Sequence, residues 1–259
     1  MVIEILYPEI ANLFGELANI KYIQASIPQC EIINTDLNSK PAFLQEGSKI
    51  DLVYMGNMSE NSQVIAMDYL EPYKDEIKTA IESGQHFLFT GNAFELLAND
   101  ILDLDDLPYD SSLLNKEGNS RINQHTKTTT CLGIFDISVK REIMHRFNSL
   151  YLGRYKDLEI VGFKSVFSYA SLNQDIPPLF ETIKGPGLDK SSIGEGIRYK
   201  NFMATYLTGP LMVLNPKYMI EFLSELGEKD INPPVMDAAM DAYNQRLSEF
   251  KSDRIPYEY

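Results

Sequence analysis

The sequence predicts an α/β protein: a mostly parallel sheet with helices on both faces. Three observations lead there. Four strand-like apolar runs alternate with helix-like stretches over the first hundred residues, the pattern of a sheet covered on both sides by its crossovers. The segment His86 to Leu97, HFLFTGNAFELL, reads as a buried strand, a sharp Gly91-Asn92 turn and the start of a helix. The length of 259 residues suits one large α/β domain, or one with a sizeable insertion.

Taken in order, Val2 to Leu6 (VIEIL) is the first predicted strand. Ile10, Leu13, Phe14, Leu17 and Ile20 follow at three- and four-residue spacing, one face of a helix interrupted by Gly15. Cys30 to Asn34 is a second strand, and Asp51 to Met55 a third that ends at Gly56-Asn57. Tyr69 to Ser83 predicts a helix stopped by Gly84, after which comes the strand of HFLFT. The stretch from Asn99 to Thr130 is polar, with Asp100, Asp103, Asp105 and Asp106 clustered ahead of Leu107-Pro108. That cluster has the spacing of neither a calcium loop nor a carboxylate pair, and a solvated acidic turn is expected there. A strand is predicted at Cys131 to Val139, with short β segments at Leu158 to Phe163 and Val166 to Tyr169. Gly185-Pro186-Gly187 and Gly194-Glu195-Gly196 mark turns, and Phe202 to Leu207 is a strand stopped by Gly209-Pro210. Lys217 to Leu226 reads as a helix ending at Gly227. Pro233-Pro234 opens the last helix, whose Met236, Ala239, Met240, Tyr243, Leu247 and Phe250 form a stripe expected to pack on the core. There is no internal repeat. The expectation is a single domain over 1–259 with a helical segment at about 217–252.

Composition narrows the function classes. A hydrophobic fraction of 44% and a charged fraction of 23% are ordinary for a soluble globular chain. The balance of 23 Lys and Arg against 37 Asp and Glu gives a net charge of −14, with no basic patch to hold a nucleic-acid backbone. No apolar run reaches the ~20 residues of a membrane span. The start, MVIEILYPEI, lacks the basic and small-residue features of a signal peptide, so a cytoplasmic location is expected. Cys30 and Cys131 are too few for a disulfide framework or a metal site and read as reduced thiols. No metal or cofactor is expected.

Strand, tight turn and helix form the elbow that holds a nucleophile above the C-terminal edge of a parallel sheet. The residue at its tip is normally held in a strained backbone conformation and carries the reactive group. Here the tip is Gly91, with no side chain and no strain. Other groups are poorly placed to replace it. Thr90 belongs to the strand. His86 lies five residues upstream, ~16 Å away along an extended chain. Cys30 begins the second strand, away from the catalytic edge. Cys131 would need an activating partner, and His125 lies in a polar connection. His145 reads as a surface or loop histidine.

Several segments together resemble one family. They are LYPEIANLFGELANIKYI (Leu6 to Ile23), HFLFTGNAFELL, LGIFDISVKREIMHRFNSLYLG (Leu132 to Gly153), IVGFKS (Ile160 to Ser165) and EGIRYKNFMATYLTGPLMVLNP (Glu195 to Pro216). The family is the class I, triad-type glutamine amidotransferases, in the branch of cobyric acid synthase and the glutaminase subunit of lipid II isoglutaminyl synthase. The resemblance implies a flavodoxin-like three-layer fold and glutamine hydrolysis. In that reaction an elbow Cys attacks the side-chain amide, a His takes the thiol proton, and backbone N–H groups hold the oxyanion. The ammonia passes to a partner synthetase.

The departures from the family pattern fall on the reactive positions. Where the family has roughly Cys-Gly-Gly-Tyr-Gln-Leu-Leu, this chain has Gly91-Asn92-Ala93-Phe94-Glu95-Leu96-Leu97. Where it has Thr-Tyr-Leu-His-Gly-Pro, this chain has Thr205-Tyr206-Leu207-Thr208-Gly209-Pro210. The resemblance thus puts Gly91 at the nucleophile position and Thr208 at the general-base position. A Gly-rich turn ending in Gln-Asp becomes Gly56-Asn57-Met58-Ser59, and Gly-Phe-Glu-Asn-His becomes Gly162-Phe163-Lys164-Ser165-Val166. Gly56, Asn57, Asn92, Glu95 and Lys164 remain as candidate ligand-binding residues around the cleft. The expectation is a non-catalytic partner or ligand-binding subunit of a Mur-ligase-type or cobyric-acid-synthase-type amidating system. It would dock on a synthetase or ligase subunit, or hold a small polar ligand such as glutamine. Two alternatives stay open: a different chemistry in the same cleft, using Asn92, Glu95, Thr208 and Lys164, or an active glutaminase supplying ammonia.

Overall fold

The computed structural model describes residues 1–105, 121–123, 127–253 and 256–257. The chain begins with β1 (Val2–Leu6), α1 (Ala18–Ser26), β2 (Glu31–Thr35), β3 (Leu52–Met55), α2 (Glu60–Leu70), α3 (Lys74–Ser83) and β4 (His86–Thr90). A long excursion follows through β5 (Asp100–Asp103), β6 (Ile122–Asn123), β7 (Thr128–Thr130), β8 (Ile137–Arg141), β9 (Phe147–Tyr155), β10 (Leu158–Val166), β11 (Ser168–Leu172), β12 (Phe180–Lys184) and β13 (Gly194–Glu195). The chain returns with β14 (Ile197–Tyr199) and β15 (Phe202–Thr205), then closes with α4 (Leu211–Leu214), α5 (Pro216–Glu225) and α6 (Met236–Lys251).

The central sheet has the order β14-β15-β4-β3-β1-β2, parallel throughout except for β14 at one edge. Its strands are apolar because both faces are covered. In β3, all four residues of LVYM are buried. Val53 and Met55 join a core with Phe87, Phe89 and the α2 and α3 residues Met67, Leu70, Ile77 and Ile81. Leu52 and Tyr54 point the other way, into a core with Ile3, Ile5, Leu88, Ile20 and Ile23 of α1, and Phe222 of α5. The mostly parallel sheet with helices on both faces is therefore present as the sequence predicts.

The excursion adds two sheets: antiparallel β10-β9-β12-β13, and β11-β8-β5-β7-β6, in which only β5 and β8 run parallel. Helix α6 packs on β9 and β10. Phe250 is buried against Leu150, Leu152 and Val161, while Tyr243 and Leu247 are half-buried. Met236, Ala239 and Met240 of the expected core stripe are not buried either; α6 packs on β9 and β10 and touches α4 and α5 without being enclosed by them.

Several local expectations need correction. The helix expected from Ile10 starts only at Ala18, because Phe14 (φ 63°) and Gly15 (φ 73°) turn the backbone left-handed. Leu13 and Phe14 consequently stay exposed. The stretch expected as one helix over Tyr69 to Ser83 holds the last two residues of α2, a 3-10 turn containing Pro72, and α3; α2 itself, capped by the Ser59 hydroxyl on Ser62 N–H, has no counterpart among the expected elements. The strand expected at Cys131 to Val139 forms only from Ile137. Before it, the N–H groups of Leu132, Gly133, Ile134 and Phe135 bond to the carbonyls of Leu96, Ala98 and Leu97. The two short β segments are β10 and β11, and β9 carries no clear pattern in sequence. The acidic cluster is not a solvated turn. Asp100 to Asp103 form β5, and Asp103 is buried in a two-pronged pair with Arg141 at 2.6 and 3.1 Å. Asp106, Leu107, Pro108 and His125 lie outside the described residues.

Candidate functional site

The strands β3 and β4 end side by side at the C-terminal edge of the central sheet. After β4 the chain enters a fully buried 3-10 helix, Gly91–Leu97, rather than an α-helix. Gly91 has φ 62°, the left-handed conformation of an elbow tip, which glycine adopts without penalty. The space above it is filled. A Cβ built on Gly91 would lie within 2.5 Å of Cβ and Oδ1 of Asn57, and closer still to Cγ. Asn57 Oδ1 accepts the Asn92 N–H at 2.9 Å, Asn92 Oδ1 accepts the Met58 N–H at 2.9 Å, and Asn92 Nδ2 donates to the Met58 carbonyl at 2.8 Å. The two turns are thus clasped together by their own asparagines.

Thr208 is buried, with its N–H and hydroxyl both directed at the Phe163 carbonyl, at 2.9 and 3.4 Å. Thr90 turns away from the cleft, as its place in the strand requires. It donates to Glu16 Oε2 at 2.6 Å and meets the Tyr54 hydroxyl at 3.0 Å. Glu16 belongs to a polar layer beneath the elbow. Its other oxygen accepts the Gly209 N–H at 2.7 Å, so one carboxyl ties the elbow strand to the Thr208-Gly209 segment. Burial pushes the Glu16 carboxyl up to about 7, against the hydrogen bonds from Thr90, Gly209, Tyr54 and Asn19.

A second buried line runs from Asp103 through Arg141 and Gln63 to Glu95. Arg141 donates to Gln63 Oε1 at 3.3 Å, and Gln63 Nε2 donates to Glu95 Oε2 at 2.8 Å and to the Asn92 carbonyl at 2.9 Å. Glu95 Oε1 is buried beside the Tyr206 and Ser168 hydroxyls, whose interaction with the carboxyl falls short of good hydrogen-bond geometry. Burial raises the Glu95 carboxyl above the usual range, against Gln63 and the Arg141 charge.

A cavity of about 140 Å³ opens over this floor, lined among others by Asn57, Ser59, Asn92, Glu95, Arg146 and Ser168. Leu13 and Phe14 stand at its edge. The structure therefore brings together Asn57, Asn92 and Glu95 of the five candidate binding residues. Gly56 lies behind them, where an added Cβ would meet the Ala11 carbonyl at 2.6 Å. Lys164 does not line the cavity. Its ammonium is buried in an ion pair with Glu195 and a hydrogen bond to the Gly187 carbonyl. Burial pulls its pKa down and the Glu195 charge opposes that pull. Glu195 is held in turn by the Thr205 hydroxyl at 2.9 Å and the Tyr206 N–H at 2.7 Å.

None of the described Cys or His residues lines the cavity. Cys131 is buried and bonded to the Thr129 carbonyl at 3.7 Å, and burial pushes its thiol up, away from the reactive thiolate. His86 sits at the start of β4, 3.3 Å from Asn201 Nδ2, and His145 is exposed beside Glu142 at 3.6 Å. Among the described residues there is no group of three or more His, Cys, Asp or Glu able to hold a metal, and no helix long and apolar enough to cross a membrane. Sequence reasoning missed Glu16, Gln63, Arg141 and Arg146. Only Glu16 left a trace, as an acid inside the apolar run LFGELAN.

Two relatives match nearly the whole chain. The lipid II isoglutaminyl synthase (glutamine-hydrolyzing) subunit GatD of Streptococcus pneumoniae is 24% identical over 252 residues, covering 96% of this chain and 89% of that protein. The subunit of the same name from Staphylococcus aureus is 24% identical over 240 residues, covering 90% and 85%. This chain is glutamine amidotransferase-like. The fold agrees. A glutamine amidotransferase structure from Thermotoga maritima superposes with a TM-score of 0.50 at 13% identity, covering 96% of this chain and 94% of that one. A second glutamine amidotransferase structure gives 0.54 at 12% identity, covering 87% and 99%. No protein-family model matches the chain. The fold is thus amidotransferase-like, and at the end of β4 the backbone of Gly91 is left-handed. What stands over Gly91 here is the Asn57 amide.

Proposed function

We propose that this glutamine amidotransferase-like chain is a non-catalytic subunit of an amidating system, docking on a synthetase or ligase without hydrolysing glutamine itself. The observation that carries this reading is Asn57. Its side chain blocks the place of any Cβ on Gly91, the residue that the family resemblance aligns with the nucleophile, and its Oδ1 takes the Asn92 N–H. That N–H is the one an elbow offers to the oxyanion. Thr208 adds only a hydroxyl already directed at a backbone carbonyl, which cannot serve as a base at neutral pH. Both relatives carry the words "glutamine-hydrolyzing" and "subunit" in their names. Loss of the first property leaves a docking surface free to persist, since docking does not depend on the elbow. The test is ammonia release from L-glutamine by the purified chain, alone and with a candidate synthetase subunit. Release at the buffer rate in both is expected. Release above it that tracks the purified chain would overturn the reading.

A second reading is favoured by Glu95, a buried acid at the cavity whose carboxyl lies beside the Ser168 and Tyr206 hydroxyls. On this reading the cleft holds a small polar ligand, glutamine or a similar amide, recognised by the polar groups around Glu95. Calorimetric titration with L-glutamine checks it. Binding that weakens at least tenfold in Glu95→Leu supports it, and no heat at millimolar ligand sinks it.

A further inference from the structure

A second cavity of about 290 Å³ lies beside the elbow cavity and shares Arg146 with it. One wall is aromatic. The rings of Phe147 on β9 and Tyr169 on β11 stand 4.1 Å apart, centroid to centroid, at the seam between two sheets. The mouth is cationic. Lys190 Nζ sits 5.3 Å from the Phe147 centroid and 5.9 Å from that of Tyr169. The Arg146 guanidinium lies 4.4 Å from the Phe167 centroid and donates to Ser165 Oγ at 3.4 Å. The floor includes Ser149, which is 3% exposed and whose hydroxyl has no hydrogen-bond partner among the described residues. Pro186 and Asn148 complete the lining.

These groups serve nothing described so far. In a chain of net charge −14, Arg146 and Lys190 pair with no carboxylate among the described residues. The acids nearest in sequence are engaged elsewhere. Glu142 faces His145, and Asp189 accepts from the N–H groups of Ser191 and Ser192 and from the Ser191 hydroxyl. Flat aromatic faces favour a flat ring, and flexible cations at a mouth favour an anion. The volume falls near the lower limit of small-molecule sites, about 300 Å³, which suits a single ring with one anionic group or a nucleoside monophosphate and leaves no room for a dinucleotide.

We propose that this cavity binds a ring-bearing organic anion, its ring against Phe147 and Tyr169 and its phosphate or carboxylate held by Lys190 and Arg146. The two cavities share Arg146 alone among their lining residues, and the proposal stands whether or not the cleft binds glutamine. The test uses the full chain with phenyl phosphate, benzoate, uridine monophosphate and inorganic phosphate as probes, read by calorimetry and ligand-observed NMR. At least one ring-bearing anion should bind with a dissociation constant on the order of 1 mM or below, at least ten times more tightly than inorganic phosphate. Which of the three binds best identifies the anionic group and the size of the ring system. Lys190→Glu should weaken that binding roughly tenfold or more, since a charged hydrogen bond is lost, and Lys190→Arg should retain it. Lys190 is exposed, so both variants should melt with the parent chain, which keeps the loss attributable to the pocket. L-glutamine should not compete. The proposal fails if no ring-bearing anion binds, if inorganic phosphate binds as well as the rings do, or if Lys190→Glu changes nothing.

Discussion

Replacing Glu16 by Gln should change how this protein responds to pH, and the size of the change follows from its surroundings. The carboxyl is wholly buried, yet burial raises its pKa from 4.5 to about 7 despite hydrogen bonds from Thr90, Gly209, Tyr54 and Asn19. A carboxyl that titrates near 4.5 when unfolded and near 7 when folded holds its proton more tightly in the folded state. Its contribution to stability is therefore complete below pH 4.5. It is lost as pH rises from 4.5 towards 7, because the unfolded chain gives up its proton first. At 1.36 kcal/mol per unit, a shift of that size corresponds to about 3 kcal/mol. Gln imitates the protonated acid. Its oxygen still accepts the Gly209 N–H, and its amide donates to Thr90 Oγ1 once that hydroxyl turns its proton to Tyr54. Asn19 loses one contact at 3.3 Å but keeps the Tyr54 hydroxyl at 3.2 Å. Glu16→Gln should therefore match the parent within about 1 kcal/mol near pH 4.5 and exceed it by about 3 kcal/mol at pH 8. In a chain of this length that is a rise of roughly 6–12 °C in Tm. Urea unfolding from pH 4.5 to 8.5 measures it. Glu4 and Glu95 also have carboxyls raised by burial, but they are common to both proteins and cancel in the difference. Parallel stability curves for parent and variant, or a gap that opens towards acid, would refute the argument.

Three further outcomes are expected. Gly91→Ala puts a Cβ into Asn57 at a backbone angle that alanine resists, and should cost about 2–4 kcal/mol by urea unfolding; adding Asn57→Gly should restore part of it. Lys164→Met leaves the Glu195 charge buried without its ion partner and should cost about 3–5 kcal/mol; a thermal melt showing less than 1 kcal/mol, by the same measure, would mean the pair is not dry. Iodoacetamide should fail to label Cys131 in the folded chain, where burial raises its thiol, and should label it fully in urea, as intact-mass measurement will show.

How legible these features were depends on how far apart in the chain their causes lie. β3 and β4 could be read because LVYM and HFLFT are strands buried on both faces, and their reason is local. The elbow was legible for the same reason, and Gly91 with it. Helix α2 has no expected counterpart because its first turn is polar (Glu60-Asn61-Ser62-Gln63) and its core residues Val64, Met67 and Leu70 span too few turns for a periodic pattern, so only the Ser59 cap announces it. Asp103 looked like part of a solvated turn because its partner Arg141 is 38 positions away, joined to it only through the register of β5 on β8. Lys164 took its expected role from its place in a motif. Its burial is decided by Glu195 on β13, a strand too short to carry a pattern. Local periodicity finds the frame, whereas a buried charge is placed by partners that no window of sequence contains.

The clasp over Gly91 also constrains any return to chemistry. Asn57 in its present position excludes every side chain at the elbow tip, since the obstruction begins at Cβ. Gly91 in turn leaves the space that Asn57 fills. Neither residue can change first without cost. A side chain at 91 meets the Asn57 amide, and loss of that amide frees the Asn92 N–H in a buried turn. On the proposed reading, Gly91→Cys combined with Thr208→His should still release no ammonia from glutamine, because the thiol would be displaced and the oxyanion donor already occupied. Adding Asn57→Gly removes both obstacles together. If glutamine hydrolysis appears in the triple variant and not in the double one, Asn57 is the plug. If the double variant already turns over, the amide yields easily and the silence of this site rests on the two reactive positions alone.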